Sequence, residues 1–204
     1  MILTISSPTS AVTSSDPLNS MAASIARRRA RAGRNVLFIY KKTAAPRNGQ
    51  QPDMAATDSW LATAIKTGAE LREVAAEDIA AELELAKIQY HDIVVDMPKL
   101  EDASSLYVLA TAQLAVFAIQ TSQWHTDRQL LSTIHAARTW NPDLPALLLV
   151  DDMQSAAGQA LAATLSERIG NVRFLQLSSS RVDDTFVGAL YHSIYAGCTA
   201  AVCA

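Results

Sequence analysis

The chain has 204 residues, half of them hydrophobic, and a formal net charge of −3, enough for one domain spanning residues 1–204 with a full core. No apolar run reaches the ~18 residues of a membrane span, and "MILTISS" turns polar too soon for a signal peptide, so a cytoplasmic protein with no integral membrane segment is expected. Cys198 and Cys203 have no second pair nearby, which leaves no metal or disulfide framework.

Short apolar runs alternate with helical patterns along the whole chain. Ile2–Ile5 reads as a strand and Pro17–Gly33 as a helix, with Leu18, Ala22 and Ile25 forming its buried stripe and Gly33 its C-terminal cap. "NVLFIY", Asn35–Tyr40, is apolar on both faces, as a buried parallel strand requires. Lys41–Asp58 is a polar loop. Ser59–Thr67 reads as a short helix, Glu70–Val74 as a weak strand and Glu77–Gln89 as a helix. "HDIVVDM", His91–Met97, is a strong strand. Ala103–Thr111, His125–Trp140, Ser155–Ile169 and Val182–Ala196 are helical, and Leu114–Gln120, Ala146–Val150 and Val172–Leu177 are strands. This alternation predicts an α/β fold, a single doubly wound, mainly parallel sheet flanked by helices. The runs at Ile2–Ile5, Val36–Tyr40, Ile93–Asp96 and Val116–Ile119 belong at its centre.

Charge is unevenly spread. Pro17–Pro52 holds no acidic residue but eight basic ones, Arg27, Arg28, Arg29, Arg31, Arg34, Lys41, Lys42 and Arg47. The stretch reads either as a basic face for an anionic partner or as a solvated helix end whose cations offset the C-terminal dipole. Arg27, Arg31 and Arg34 fall at i, i+4 and i+7, one helical stripe that suits sequence-independent contact with DNA phosphates. His91, His125, His135 and His192 show no metal spacing. Ser178–Arg181 reads as a polar loop, and Trp124 and Trp140, which bracket a helix, read as packing anchors.

From Tyr90 to Pro98, "YHDIVVDMP" resembles the Walker B strand of the ParA/MinD family of deviant P-loop ATPases. "LAVFAIQTSQWHTDRQLLSTIHAARTWNPDLPALLLVDD" is similar to that family's next strand, helix and strand, and "SMAASIARRRARAGRNVLFIY" to its first helix and second strand. The resemblance covers most of Met1–Asp152 and suits a short, plasmid-type member.

The family's phosphate loop reads K-G-G-x-G-K-S/T-S/T after the first strand. Here that place is taken by "SSPTSAVTSSD", Ser6–Asp16, with neither glycine nor lysine. The resemblance puts Thr9 at the signature lysine, Ser10 and Ala11 at the paired glycines, Thr13 at the third glycine, Ser14 at the phosphate lysine and Ser15 at the magnesium hydroxyl. Only Ser15 keeps its chemistry. Glycines let backbone N–H groups reach phosphates, and the lysine supplies the balancing charge. The family's D-x-D-P at the end of its second strand is replaced by Tyr40-Lys41-Lys42-Thr43, and the family's adenine-reading Asn has no counterpart near Val150–Asp151. Asp96 persists at the Walker B position, as a relic acid that caps the following turn.

The resemblance therefore implies a pseudo-ATPase with a relic phosphate loop (Ser10, Thr13, Ser14 and Ser15), no catalytic residue, no cofactor and no metal. Its expected role is a scaffold or partner in partition, conjugative transfer or the positioning of a pilus or cellulose synthase. It would act as a homodimer or on a protein partner through the loop face. The alternatives are a DNA-binding module using Arg27, Arg31 and Arg34, and a weak ATP-binding sensor.

Overall fold

A computed structural model describes residues 1–6, 17–41, 68–97, 103–122, 128–177 and 184–199. In chain order the elements are β1 (Ile2–Ser6), α1 (Pro17–Arg31), β2 (Val36–Lys41), β3 (Glu70–Val74), α2 (Ile79–Gln89), β4 (Asp92–Met97), α3 (Ala103–Thr111), β5 (Leu114–Ile119), α4 (Arg128–Arg138), β6 (Ala146–Val150), α5 (Ala156–Ile169), β7 (Val172–Gln176) and α6 (Asp184–Thr199). The strands form one seven-stranded sheet in the order β3-β2-β4-β1-β5-β6-β7. Every neighbouring pair is parallel.

The four runs expected at the centre are there, side by side as β2, β4, β1 and β5. They are central because their side chains are apolar on both faces, and only strands covered on both sides can bury such sequences. Leu3 and Ile5 of β1 face one core with Phe38 of β2 and Val116 of β5, covered by Ile25 of α1 and Leu190 of α6. Ile2, Ile39, Val95 and Phe117 face the other, against Leu83 of α2, Val108 of α3, Ile134 of α4 and Leu165 of α5. The edges go to "ELREV" and "VRFLQ", which carry charged side chains in mid-strand. Charged side chains suit an edge, where they are hydrated and discourage pairing with another chain.

Helix ends follow local chemistry. Gly33, at φ +79, ends α1. Its N–H bonds Ala30 O at 2.9 Å and the Arg34 N–H reaches Arg29 O at 3.3 Å, the two bonds of a Schellman cap. Ser155 caps α5, its side chain accepting from Gly158 N at 3.0 Å. The short helix expected at Ser59–Thr67 lies outside the described residues, as does Trp124. Trp140 corrects the packing assignment, because it is 81% exposed. The last buried residue of α4 is Ala137, and the backbone turns away beyond it, so the indole follows the turn outward. Among the described residues, no helix is long and apolar enough to cross a membrane.

Candidate functional site

In a parallel sheet all strands end at one edge, and ligands of doubly wound folds lie there, where the winding reverses. Here the reversal is at β1, with β4, β2 and β3 on one side and β5, β6 and β7 on the other. Ser6 ends β1 and leads into residues 7–16. The loop residues Ser10, Thr13, Ser14 and Ser15 lie outside the described residues, and so does Ser178–Arg181.

The flanking strand ends are described. Asp96 of β4 pairs in register with Ile5 of β1 on one side and Tyr40 of β2 on the other. Val94 faces α1, so Asp96, two residues on, shares that face. It is only 3% exposed. Tyr40 occupies the same face, and its hydroxyl donates to Glu73 of β3, its register partner. Burial first, and then the Glu73 carboxylate, push the Tyr40 phenol up from its ordinary value, so it stays a neutral donor. Across β1, Asp151 accepts from the Thr121 N–H at 2.9 Å and from the Thr121 hydroxyl, tying the ends of β5 and β6 together. Among the described residues this edge thus presents the buried Asp96 carboxylate beside a neutral phenol, with Glu73 and Asp151 held in the contacts above.

The opposite edge is basic. Arg27, Arg28 and Arg31 of α1, with Ala32, form one wall of an open cleft of about 770 Å³, and Tyr191 and His192 of α6 form the other. Spacings of i+3 and i+4 put these three guanidiniums on one helix face. Arg29 is rotated off that face and points inward. It donates to Asp92 Oδ2 from Nε at 3.0 Å and to Tyr191 Oη from Nη1 at 3.4 Å, and lies 4.0 Å over the Tyr195 ring.

The stripe expected from Arg27, Arg31 and Arg34 is therefore corrected at its third member. The helix ends at Arg31, the left-handed Gly33 breaks the 3.6-residue period, and Arg34 turns back to Asp92, Nε to Oδ2 at 3.2 Å. Arg28 takes its place. The signal was in the sequence, since 27, 28 and 31 share a face on any helix that stops before 34. Tyr191 and His192 had no such signal, because only the tertiary fold brings α6 beside α1. Of the other histidines, His91 accepts from Asn35 N at 3.0 Å, a structural contact, and His125 lies outside the described residues. Among the described residues no cluster of His, Cys, Asp or Glu suits a metal ion.

Comparison with known proteins supplies a fold. No family model matches the sequence, and no curated protein does. Solved structures do match. A plasmid partition protein of Borrelia burgdorferi bound to AMPPNP is 16% identical with a TM-score of 0.59, covering 89% of this chain and 87% of that one. The MinC:MinD cell division complex of Aquifex aeolicus gives 14% identity and a TM-score of 0.55, covering 92% and 85%. Cobyrinic acid a,c-diamide synthase of Mycobacterium smegmatis, with bound ADP and magnesium, gives 18% and 0.58, covering 97% of each chain. At such identities the likeness establishes architecture: the chain has the ParA/MinD type of P-loop fold, as its sequence resemblance implied.

Proposed function

We propose that this chain is a ParA/MinD-type pseudo-ATPase that works in the cytoplasm by binding proteins, as a scaffold or partner in partition, conjugative transfer or the positioning of a cell-surface machine. One observation carries the reading. The strand that should feed a phosphate loop, β1, is followed by "SPTSAVTSSD" at 7–16, without glycine or lysine. The neighbouring strand ends support it. A magnesium nucleotide needs several anionic or polar ligands converging on the metal and a cation for the phosphates. Asp96 is the one family acid retained, and Tyr40, where the family has an acid, is a neutral phenol bonded to Glu73. These residues do not fit a magnesium nucleotide.

Because one similar architecture is seen in a MinC:MinD complex and another in a synthase, the fold does not choose the task. The small neutral side chains of Thr9, Ser10, Thr13 and Ser14 favour protein contact, since two such faces approach without the repulsion of unpaired lysines. The test has two arms. Incubation with ATP and magnesium yields no hydrolysis, and light scattering without nucleotide shows a dimer that Ser10→Arg dissociates. Turnover, or an ATP affinity near micromolar (about −8 kcal/mol) that Ser15→Ala abolishes, overturns the pseudo-ATPase. A protein that stays monomeric at high concentration, and binds no neighbour through this face, overturns the scaffold.

A further inference from the structure

We infer that the outer face of α2 is a self-association surface, on which Ala81, Leu85 and Ile88 pack antiparallel against the same residues of a second copy of this chain. The helix is apolar on two opposite sides. Ile79, Leu83 and Ala86 are buried in the core under the sheet, as one covered face requires. Ala81, Leu85 and Ile88, at i, i+4 and i+7, form a second stripe turned away from it, and all three are exposed. Leu85 is 60% exposed and Ile88 88%. Among the described residues the exposed large apolar side chains are these two and Trp140, so two of the three share one stripe. Isolated apolar residues on a surface are ordinary, whereas a stripe at the spacing of a helix–helix seam is what a partner helix covers.

Charge selects the partner and its direction. Glu77, Asp78 and Glu84 precede Lys87, the one cation between residues 77 and 89, while Glu82 is turned aside to Arg72. The helix is therefore acidic at its start and basic near its end. A parallel copy would set carboxylate against carboxylate. An antiparallel copy sets each acidic start beside the other's Lys87 end and opposes the two helix dipoles. A two-fold axis beside Leu85 meets both needs, placing Leu85 on Leu85, small Ala81 on large Ile88, and Glu84 near Lys87 of the second copy. Glu84 and Lys87 share one flank of the stripe, where Lys87 and the Tyr107 hydroxyl of α3 both donate to Glu84, so this flank is fixed before a partner arrives. Ile88 sits one turn before β4, at the strand edge opposite to the one where β1 runs into residues 7–16. The contact is thus separate from the loop face, and with both in use assembly goes beyond a dimer.

Sedimentation velocity over a concentration series tests the contact in the Ser10→Arg chain, whose loop face carries an added charge. A monomer–dimer equilibrium is expected there at higher concentration than the loop-face dimer needs, since two large side chains per copy make a weak, transient interface. Ile88→Glu is expected to weaken it by about tenfold or more, through the lost burial of an aliphatic side chain in each copy. Lys87→Glu should weaken it too, and adding Glu84→Lys to Lys87→Glu should restore it, because the swap rebuilds the complementary pair. Urea midpoints check that these exposed variants fold. A Ser10→Arg chain that stays monomeric at near-millimolar concentration overturns the inference and leaves the loop-face reading intact. A dimer that ignores Ile88→Glu, or one that the charge swap fails to restore, overturns it as well. Self-association of the parent that is lost in Ile88→Glu but kept in Ser10→Arg supports it and counts against the loop-face dimer.

Discussion

Arg29 grips Asp92 through two nitrogens, Nε at 3.0 Å and Nη2 at 2.9 Å from Oδ2, where the end of α1 crosses the start of β4. The carboxylate is 1% exposed and the guanidinium side chain 18%, so water screens the pair little. Without Arg29 the buried carboxylate keeps Arg34, at 3.2 Å from Oδ2, and the N-terminal ammonium, at 3.6 Å from Oδ1, but loses its two-nitrogen grip. Arg29→Ala is therefore expected to cost about 2 kcal/mol, measured as a fall in the urea midpoint. Replacing both residues, Arg29→Ala with Asp92→Ala, should recover part of that loss. An additive double variant would show that the contact contributes nothing of its own.

Arg34 and Arg31 separate the structural arginines from the cleft. Arg34 reaches the same buried oxygen at 3.2 Å but is 42% exposed. Arg34→Ala should cost about 1 kcal/mol, while exposed Arg31→Ala stays within about 0.5 kcal/mol of the parent. Equal losses would contradict the division. Chemical denaturation of the two variants side by side is sufficient.

The start of α5 depends on one missing methyl group. A Cβ on Gly158 would sit 1.9 Å from the backbone oxygen of Asp152, and backbone cannot swing aside as a side-chain tip does. Gly158→Ala is expected to cost about 3 kcal/mol. Ser155→Ala, which removes the cap from the same turn, should cost about 1 kcal/mol. Thermal unfolding ranks the two, and a harmless Gly158→Ala would refute the close approach.

Edge strand β3 is fastened to α2 by a titratable cluster. Arg72 Nη2 donates to Glu70 at 2.6 Å and to Tyr90 Oη at 2.8 Å, and Arg72 also pairs with Glu82. The Tyr90 hydroxyl first, and Arg72 second, hold the Glu70 carboxyl below the ordinary carboxylate range. A carboxylate with a depressed folded-state pKa stabilises fully above its unfolded value, and that stabilisation drains away as pH falls through the folded value. Solvent around this edge keeps the effect small. Between about pH 6 and pH 3 the parent should lose more stability than Tyr90→Phe, whose Glu70 has lost its chief donor. Parallel pH profiles of the urea midpoint test the difference.

Much of the architecture was legible because a two-faced apolar strand has few places to go. "NVLFIY", "HDIVVDM" and "ALLLV" can be buried only inside a covered parallel sheet, and they became β2, β4 and β6. Glu70–Val74, read as weak, is weak for a reason: it pairs on one side only, with β2. Helix faces were less legible. A stripe through Arg34 needs α1 to keep its period to residue 34, whereas the left-handed Gly33 ends it first. Trp140 failed for a related reason, since a large ring beside a helix end packs only if the chain continues over the core. The Tyr40–Glu73 and Arg29–Asp92 contacts join residues far apart in sequence, and periodicity carries no information about such pairs.

The placement of β1 also sets the order in which the molecule is assembled. Its two hydrogen-bonding neighbours are β4 and β5, at Asp92–Met97 and Leu114–Ile119. This strand is thus the keystone of the sheet, yet both of its partners lie far downstream of it in the chain, with β4 and then β5 following only after β2 and β3. Such distant pairing slows folding and leaves an apolar strand waiting. "MILTI" is a natural client for a chaperone during synthesis, and a fusion that delays β5 should slow its burial more than one placed after β7.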